Sequence, residues 1–233
     1  MMKVYQCTNV GKVRKNNEDS LLVAEPSIFV AADGMGGAAA GEVASKILVD
    51  TVKNFLANVP EPLDEKVLSK SILKSNAAIL RAAKENPNLR GMGTTATILH
   101  IYKDQAYFAH VGDSRLYRLK NSALEQMTLD HSYVESLVRK GELTPAQAKV
   151  HPMKNILTQA VGAMEEIQVE TGNFKVDGGE KFLLCTDGLT NMVDDDEIKK
   201  ILIESTNPAE DLINAALSGG GHDNITAIVV YAD

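Results

Sequence analysis

Four aspartates in this chain stand beside apolar runs. Asp33 follows Ile28-Phe29-Val30-Ala31-Ala32 and precedes Gly34; Asp187 follows Phe182-Leu183-Leu184-Cys185-Thr186 and precedes Gly188. Asp113 follows Phe108-Ala109-His110-Val111-Gly112, and Asp223 ends the loop Gly219-Gly220-Gly221-His222 just ahead of the last apolar stretch. A single Asp-Gly is ordinarily a turn. Several at the ends of buried strands mean more, because a sheet gathers its strand ends at one edge. Carboxylates that converge there raise one another's pKa unless a cation offsets them. Oxygen donors select Mg²⁺, Mn²⁺ or Ca²⁺ over zinc, and neither HExxH nor a paired Cys/His spacing is present. The spacing supports a hard-metal site.

Neighbouring residues fit around such a site. The segment Asp33-Gly34-Met35-Gly36-Gly37 lets the backbone approach a ligand, and a glycine carbonyl can join a metal shell. It matches neither GxxxxGK[ST] nor GxGxxG, so it is not a nucleotide-phosphate loop. Arg14 opens Arg14-Lys15-Asn16-Asn17-Glu18-Asp19; a guanidinium can hold two phosphate oxygens, although residue type alone also fits a solvated loop. The acidic run Asp194-Asp195-Asp196-Glu197 reads as a helix start, where acids complement the dipole and cap free amides. Cys7 and Cys185 read as buried, reduced thiols.

These residues need a scaffold. The chain has 233 residues, 44% of them hydrophobic, enough for one domain spanning 1–233. Its formal charge of −7, with five Phe and six Tyr, argues against a nucleic-acid groove. With no long apolar span and no signal-peptide core at the N-terminus, the sequence reads as cytoplasmic and without membrane contact. Strands are expected at 3–8, 19–24 and 27–32. Two helices follow, one through Val43, Ile47, Val52, Phe55 and Val59, the other through Leu68, Ile72, Ile79 and Ala83, broken at 60–64 by Pro60 and Pro62. Further strands are expected at 94–101, 105–112 and 115–119, the first two joined by a tight turn at Lys103-Asp104. After a polar, partly helical stretch at about 130–155 come strands near 156–161, 167–173 and 180–186. A helix opening at Asn207-Pro208 and a strand from Ile225 to Tyr231 complete the chain. Strands and helices in blocks make an α+β pattern with antiparallel sheets.

Seven short motifs carry a resemblance over essentially the whole length. They are Gly11-Lys12-Val13-Arg14…Asn17-Glu18-Asp19, Ala32-Asp33-Gly34-Met35-Gly36-Gly37, Gly91-Met92-Gly93-Thr94-Thr95, Val111-Gly112-Asp113-Ser114-Arg115, Asp130-His131-Ser132, Cys185-Thr186-Asp187-Gly188-Leu189 and Asp223-Asn224-Ile225-Thr226. In this order they resemble the type 2C, metal-dependent serine/threonine protein phosphatases (the PPM family), in its compact bacterial form. The resemblance implies a four-layer α-β-β-α sandwich with two central antiparallel sheets and a mobile flap at about 130–155. It implies two Mn²⁺ or Mg²⁺ ions, with a third in bacterial members. Asp33 would bridge two ions, Asp187 and Asp223 would complete one shell, and the Gly34 carbonyl would bind the other ion, which Glu18 and Asp19 reach directly or through water. Asp113 with Asp187 would form the third site, and Arg14 would hold the substrate phosphate. The expected reaction is hydrolysis of phosphoserine and phosphothreonine in proteins by a metal-activated water, without a covalent intermediate. Phosphoproteins and a cognate serine/threonine kinase are the expected partners, and a monomer the expected state. A non-catalytic phosphoprotein-binding or sensing module on the same fold is the alternative, and the intact acidic set counts against it. Animal members place a histidine after the Asp-Gly as general acid; here the residue is Met35, whose thioether cannot donate a proton. His222 adjoins Asp223, but an incidental loop histidine is the simpler reading.

Overall fold

The structure, a computed structural model, describes residues 2–24, 27–36 and 40–232. Gly37, the last residue of the Asp-Gly segment, lies outside them. Eleven strands are described among these residues: β1 (Lys3–Asn9), β2 (Asp19–Ala24), β3 (Ile28–Met35), β4 (Gly93–Thr94), β5 (Ala96–Tyr102), β6 (Gln105–Val111), β7 (Arg115–Lys120), β8 (Ala123–Gln126), β9 (Glu170–Lys175), β10 (Lys181–Cys185) and β11 (Ile225–Tyr231). They form two antiparallel sheets, one ordered β1-β11-β10-β7-β8 and the other β2-β3-β5-β6-β9, with β4 added on β3.

The central strands are apolar on both faces because each sheet is covered twice. Along β10, Phe182 and Leu184 point between the sheets, while Leu183 and Cys185 point outward against helices. In β3, Phe29 and Ala31 face the other sheet, while Val30 and Ala32 face helices α1 (Ala40–Leu56) and α2 (Glu65–Glu85). Period-two alternation thus hides in a continuous apolar run. On the far side α6 (Asp195–Glu204) and α7 (Pro208–Ser218) cover the first sheet. The layers are helix, sheet, sheet and helix, as the resemblance implied.

Local chemistry sets most element boundaries. Asp64 caps α2 by accepting the Val67 amide at 2.9 Å, and Asp194 caps α6 by accepting that of Glu197 at 2.9 Å. The acidic run at 194–197 is therefore a helix start. At the hairpin, Tyr102 pairs with Gln105 and Lys103 takes a positive φ of 56°. Before α7, Asn207 turns its amide to Glu210 rather than capping the helix.

Two expectations need correction. The strand at 94–101 is interrupted at Thr95, which leaves the ladder to bond Asp33. The expected strand at 156–161 is not a strand: Leu157 bridges Ser132 and Val161 bridges Thr94, two contacts with different partners. No single neighbour runs alongside it long enough to form a ladder, and its apolar residues read as strand only when that partner is ignored. Around it, Ser132 caps α3 (Tyr133–Arg139) and Thr144 forms a capping box on α4 (Pro145–Lys149), so the stretch at 130–155 is partly helical, as expected. The remaining gaps are β8 and the short α5 (Asp187–Thr190), both too brief to leave a period.

Cys7 and Cys185 both pair with Ala227, from opposite sides of β11. They are two strand spacings apart, about 9.5 Å, beyond the reach of a disulfide. Burial pushes the Cys185 thiol up to about 12, which removes it as a nucleophile.

Candidate metal centre

Both sheets deliver aspartates to one edge. Asp19 opens β2 and pairs across the ladder with Asp33 on β3. Asp113 follows β6, Asp187 opens α5 directly after β10, and Asp223 leads into β11. A cavity of about 490 Å³ lies over them, walled by Asp33, Asp113, Asp187 and Asp223 with Arg14, Glu18, Gly34 and Met35. Asp19 does not line it; it is buried next to Asp33. Asp33 stands within β3 rather than beyond its end, and Asp187 is the first residue of a helix.

The electrostatics are adverse to these acids as they stand. Asp19 Oδ2 accepts the hydroxyls of Thr186 at 2.9 Å and Thr226 at 2.6 Å. Hydrogen bonds to a charged group contribute about 1.5–3 kcal/mol each, while burying an ion costs several kcal/mol before any pairing. Burial wins, and the Asp19 carboxyl is raised to about 7. Burial, then repulsion from Asp19, Asp187, Asp113 and Asp223, pushes Asp33 well above the carboxylate range. Asp113 is pushed well above it by burial and then Asp187, and Asp187 is raised by burial and then Asp223. Among the described residues, the cationic group bonded to this set is Arg14, whose Nη2 is 2.7 Å from Asp223 Oδ2.

Two oxygens point to what is needed. Asp19 Oδ1 and Asp187 Oδ1 are buried without a hydrogen-bond partner, whereas buried polar atoms are nearly always satisfied. Unsatisfied carboxylate oxygens among mutually repelling carboxylates fit a set of donors for hard divalent cations.

A second cluster does not fit a metal. His110, His131 and Glu170 bring ligating atoms within 4.8 Å of one another. However, His110 Nε2 faces the Gly112 and Leu129 carbonyls at 3.0 and 3.2 Å, so it carries a proton. His131 Nδ1 accepts the Gly112 amide at 3.2 Å, which places its proton on Nε2, facing Glu170. Both imidazoles are committed to the backbone and have no lone pair to offer the shared space.

Residues 12–219 match the family model for protein phosphatase 2C. The chain belongs to the protein phosphatase 2C family. It is 40% identical to the serine/threonine phosphatase stp of Listeria monocytogenes over 97% of this chain and 94% of that one. It is 36% identical to the protein phosphatase PhpP of Streptococcus pneumoniae, over 98% and 97%. The catalytic domain of the serine/threonine protein phosphatase PstP, solved in complex with two manganese ions, superposes with a TM-score of 0.91 at 34% identity, covering 100% of this chain and 99% of that one.

Within this 2C phosphatase fold, Asn191 and the bonding role of Asn224 escaped the sequence reading. Asn224 donates to the Val10 and Asn16 carbonyls, both at 2.9 Å, and accepts the Glu18 amide at 2.8 Å. One buried amide thus fastens to β11 the loop that carries Arg14 and Glu18. Asn191, one turn along α5, donates to Asp187 Oδ2 at 2.9 Å. The only signal for Asn191 was its i+4 spacing from Asp187, and that requires knowing that Asp187 is helical. Gly34 is needed for close packing: a Cβ there would lie 2.2 Å from the Gly41 carbonyl oxygen. Met35 lines the cavity, and His222 is exposed and outside its lining, which leaves it an incidental loop residue.

Proposed function

We propose that this chain hydrolyses phosphoserine and phosphothreonine in proteins, acting as one catalytic domain with a flap at about 130–155. The observation that carries this reading is the convergence of four aspartates beside an arginine in one open cavity, with a fifth, Asp19, buried next to Asp33; Asp19 and Asp187 each have an orphaned buried oxygen. Asp33, Asp187, Asp223 and Gly34 would hold two Mn²⁺ or Mg²⁺ ions, with Glu18 on the cavity wall and Asp19 in support. Asp113 with Asp187 would hold a third. Bound there, such ions supply Lewis acidity toward a water and toward the phosphoryl oxygens.

The chain's own groups do the rest. Arg14, more than half exposed, swings between Asp223 and the substrate phosphate, where its planar fork matches two oxygens. Asn191 and the hydroxyls of Thr186 and Thr226 hold the orientation of Asp187 and Asp19. Met35 has no proton to give and, among the described residues, no histidine lines the cavity, so the leaving-group proton comes from solvent. A cognate serine/threonine kinase supplies the substrates, the chain works as a monomer, and the compartment is the cytoplasm. No described helix is long and apolar enough to cross a membrane.

Phosphate release from a phosphothreonine peptide with Mn²⁺ tests the reading. Activity lost on chelation and in Asp33→Asn and Asp187→Asn supports it. Full activity in either variant, or the absence of wild-type turnover, refutes it.

A further inference from the structure

Asp113 lines the catalytic cavity, but it is held differently from its neighbours. Asp187 receives a bond from Asn191, and Asp19 receives two from Thr186 and Thr226. Among the described residues no other side chain donates to the Asp113 carboxylate, so its direction is set through the backbone. The residue before it is Gly112, with a φ of 112°, where a Cβ would lie 2.5 Å from Thr95 Cγ2. Only glycine fits there, and glycine is the residue least able to fix its own backbone direction.

Other groups fix it. The Gly112 amide donates to His131 Nδ1 at 3.2 Å, and the Gly112 carbonyl accepts the His131 amide at 2.7 Å and His110 Nε2 at 3.0 Å. His131 thus satisfies both polar groups of Gly112, one with its ring and one with its backbone. The ring is itself held: the His131 carbonyl accepts the Thr158 amide at 2.8 Å, and the imidazole packs on that of His110 with centroids 5.0 Å apart. On the other side of Asp113, the Ser114 hydroxyl bonds that of Thr95 at 2.7 Å. Without the Nδ1 acceptor, one of these two anchors is weakened.

We propose that His131 is a positioning residue for the ion held by Asp113 and Asp187. By accepting the Gly112 amide it fixes the direction in which Asp113 is presented, and so sets the affinity of that site without touching an ion. The inference rests on the reading of the aspartates as a metal centre and adds a residue to it. Asp33 and Asp223 lie outside the reach of this clamp, so the effect is confined to one ion.

The test is calorimetric titration of the metal-free chain with Mn²⁺ alone. Wild type should show a tight phase and a weaker one, and Asp113→Asn should abolish the weaker one. Two substitutions then divide the imidazole. In His131→Asn the amide oxygen stands where Nδ1 stood and keeps the acceptor; in His131→Gln the amide reaches toward the Nε2 position and the acceptor is lost. His131→Gln should weaken the second phase about tenfold and leave the first unchanged, while His131→Asn should stay within about twofold of wild type. A metal-free thermal melt checks folding. Should His131→Gln fail to melt cooperatively, His131→Ala, which leaves room for water at the Gly112 amide, takes its place with the same expected weakening. An unchanged second phase overturns the inference, as does equal weakening in His131→Asn and His131→Gln, loss of both phases together in a folded variant, or a wild type with no second phase. A wild type that binds no Mn²⁺ would instead overturn the metal centre, and the inference with it.

Discussion

The two ends of strand β10 handle buried carboxylates in opposite ways. Glu180 lies just before the strand and is 3% exposed; Asp187 lies just after it. Burial works against the Glu180 charge, but Arg118 Nη2 at 2.7 Å and Lys120 Nζ at 3.0 Å outweigh it and hold the carboxyl below its usual range. At the other end Asp187 meets Asp33, Asp113 and Asp223, has a buried oxygen without a partner, and is raised. One end is finished by the chain itself. The other is finished only by something the chain does not encode, and cations of matching hardness are that thing.

The comparison can be broken at either end. The largest effect is expected for Asp33→Asn. With Mn²⁺, peptide phosphatase activity should fall by at least about a hundredfold, no less than the loss of an outer-shell partner costs. With chelator the same variant should melt above wild type, by about 3 °C for each kcal/mol of repulsion removed. Activity and stability moving in opposite directions is the mark of a site strained in the absence of its ions; a variant that loses both is a folding lesion.

At the finished end the sign reverses. Glu180→Ala leaves the partly buried Arg118 charge without its carboxylate and should cost roughly 3 kcal/mol in urea unfolding. Its kcat on p-nitrophenyl phosphate should be unchanged wherever the protein remains folded.

pH separates the ends further. The folded pKa of Asp19, about 7, lies above its ordinary 3.8, so between those values the folded chain keeps a proton that the unfolded chain has lost. Metal-free stability should therefore be greatest on the acid side and fall as pH rises from 3.8 through about 7. Mn²⁺ at a hundredfold excess over its Kd should restore about 2.7 kcal/mol at neutral pH, and much less near pH 5. Thermal melts with and without the ion read both. A metal-free protein whose stability climbs over that window would contradict the assignment.

The smallest effect is expected at Asn191. Asn191→Ala removes the bond that aims Asp187, and calorimetry should show Mn²⁺ affinity about tenfold weaker with the fold intact.

Much of this arrangement was legible from residues alone. The helix pair, the Lys103-Asp104 hairpin and the capped acidic run at 194–197 rest on local rules, and local rules need no partner. The four strand-flanking aspartates also stood out, because Asp-Gly after an apolar run repeats. The segment at 156–161 misled for the opposite reason: its apolar pattern is strand-like, but pairing is a property of two segments, and here the neighbours are Ser132 on one side and Thr94 on the other. Asn224 was visible only as part of a motif, because its three bonds reach residues 206 to 214 positions away.

By itself, the sequence determined which acids could be ligands, since an aspartate beside a rigid strand is a local fact. Their repetition beside apolar runs also weighed against reading each as an ordinary turn. The tertiary structure decided which of them share a space, that Asp19 stands next to Asp33 off the cavity wall, and that His222 stays outside. The reason is physical: a carboxylate's charge state depends on burial and on neighbours within a few ångströms. Those neighbours come from both sheets and meet only when the sandwich closes.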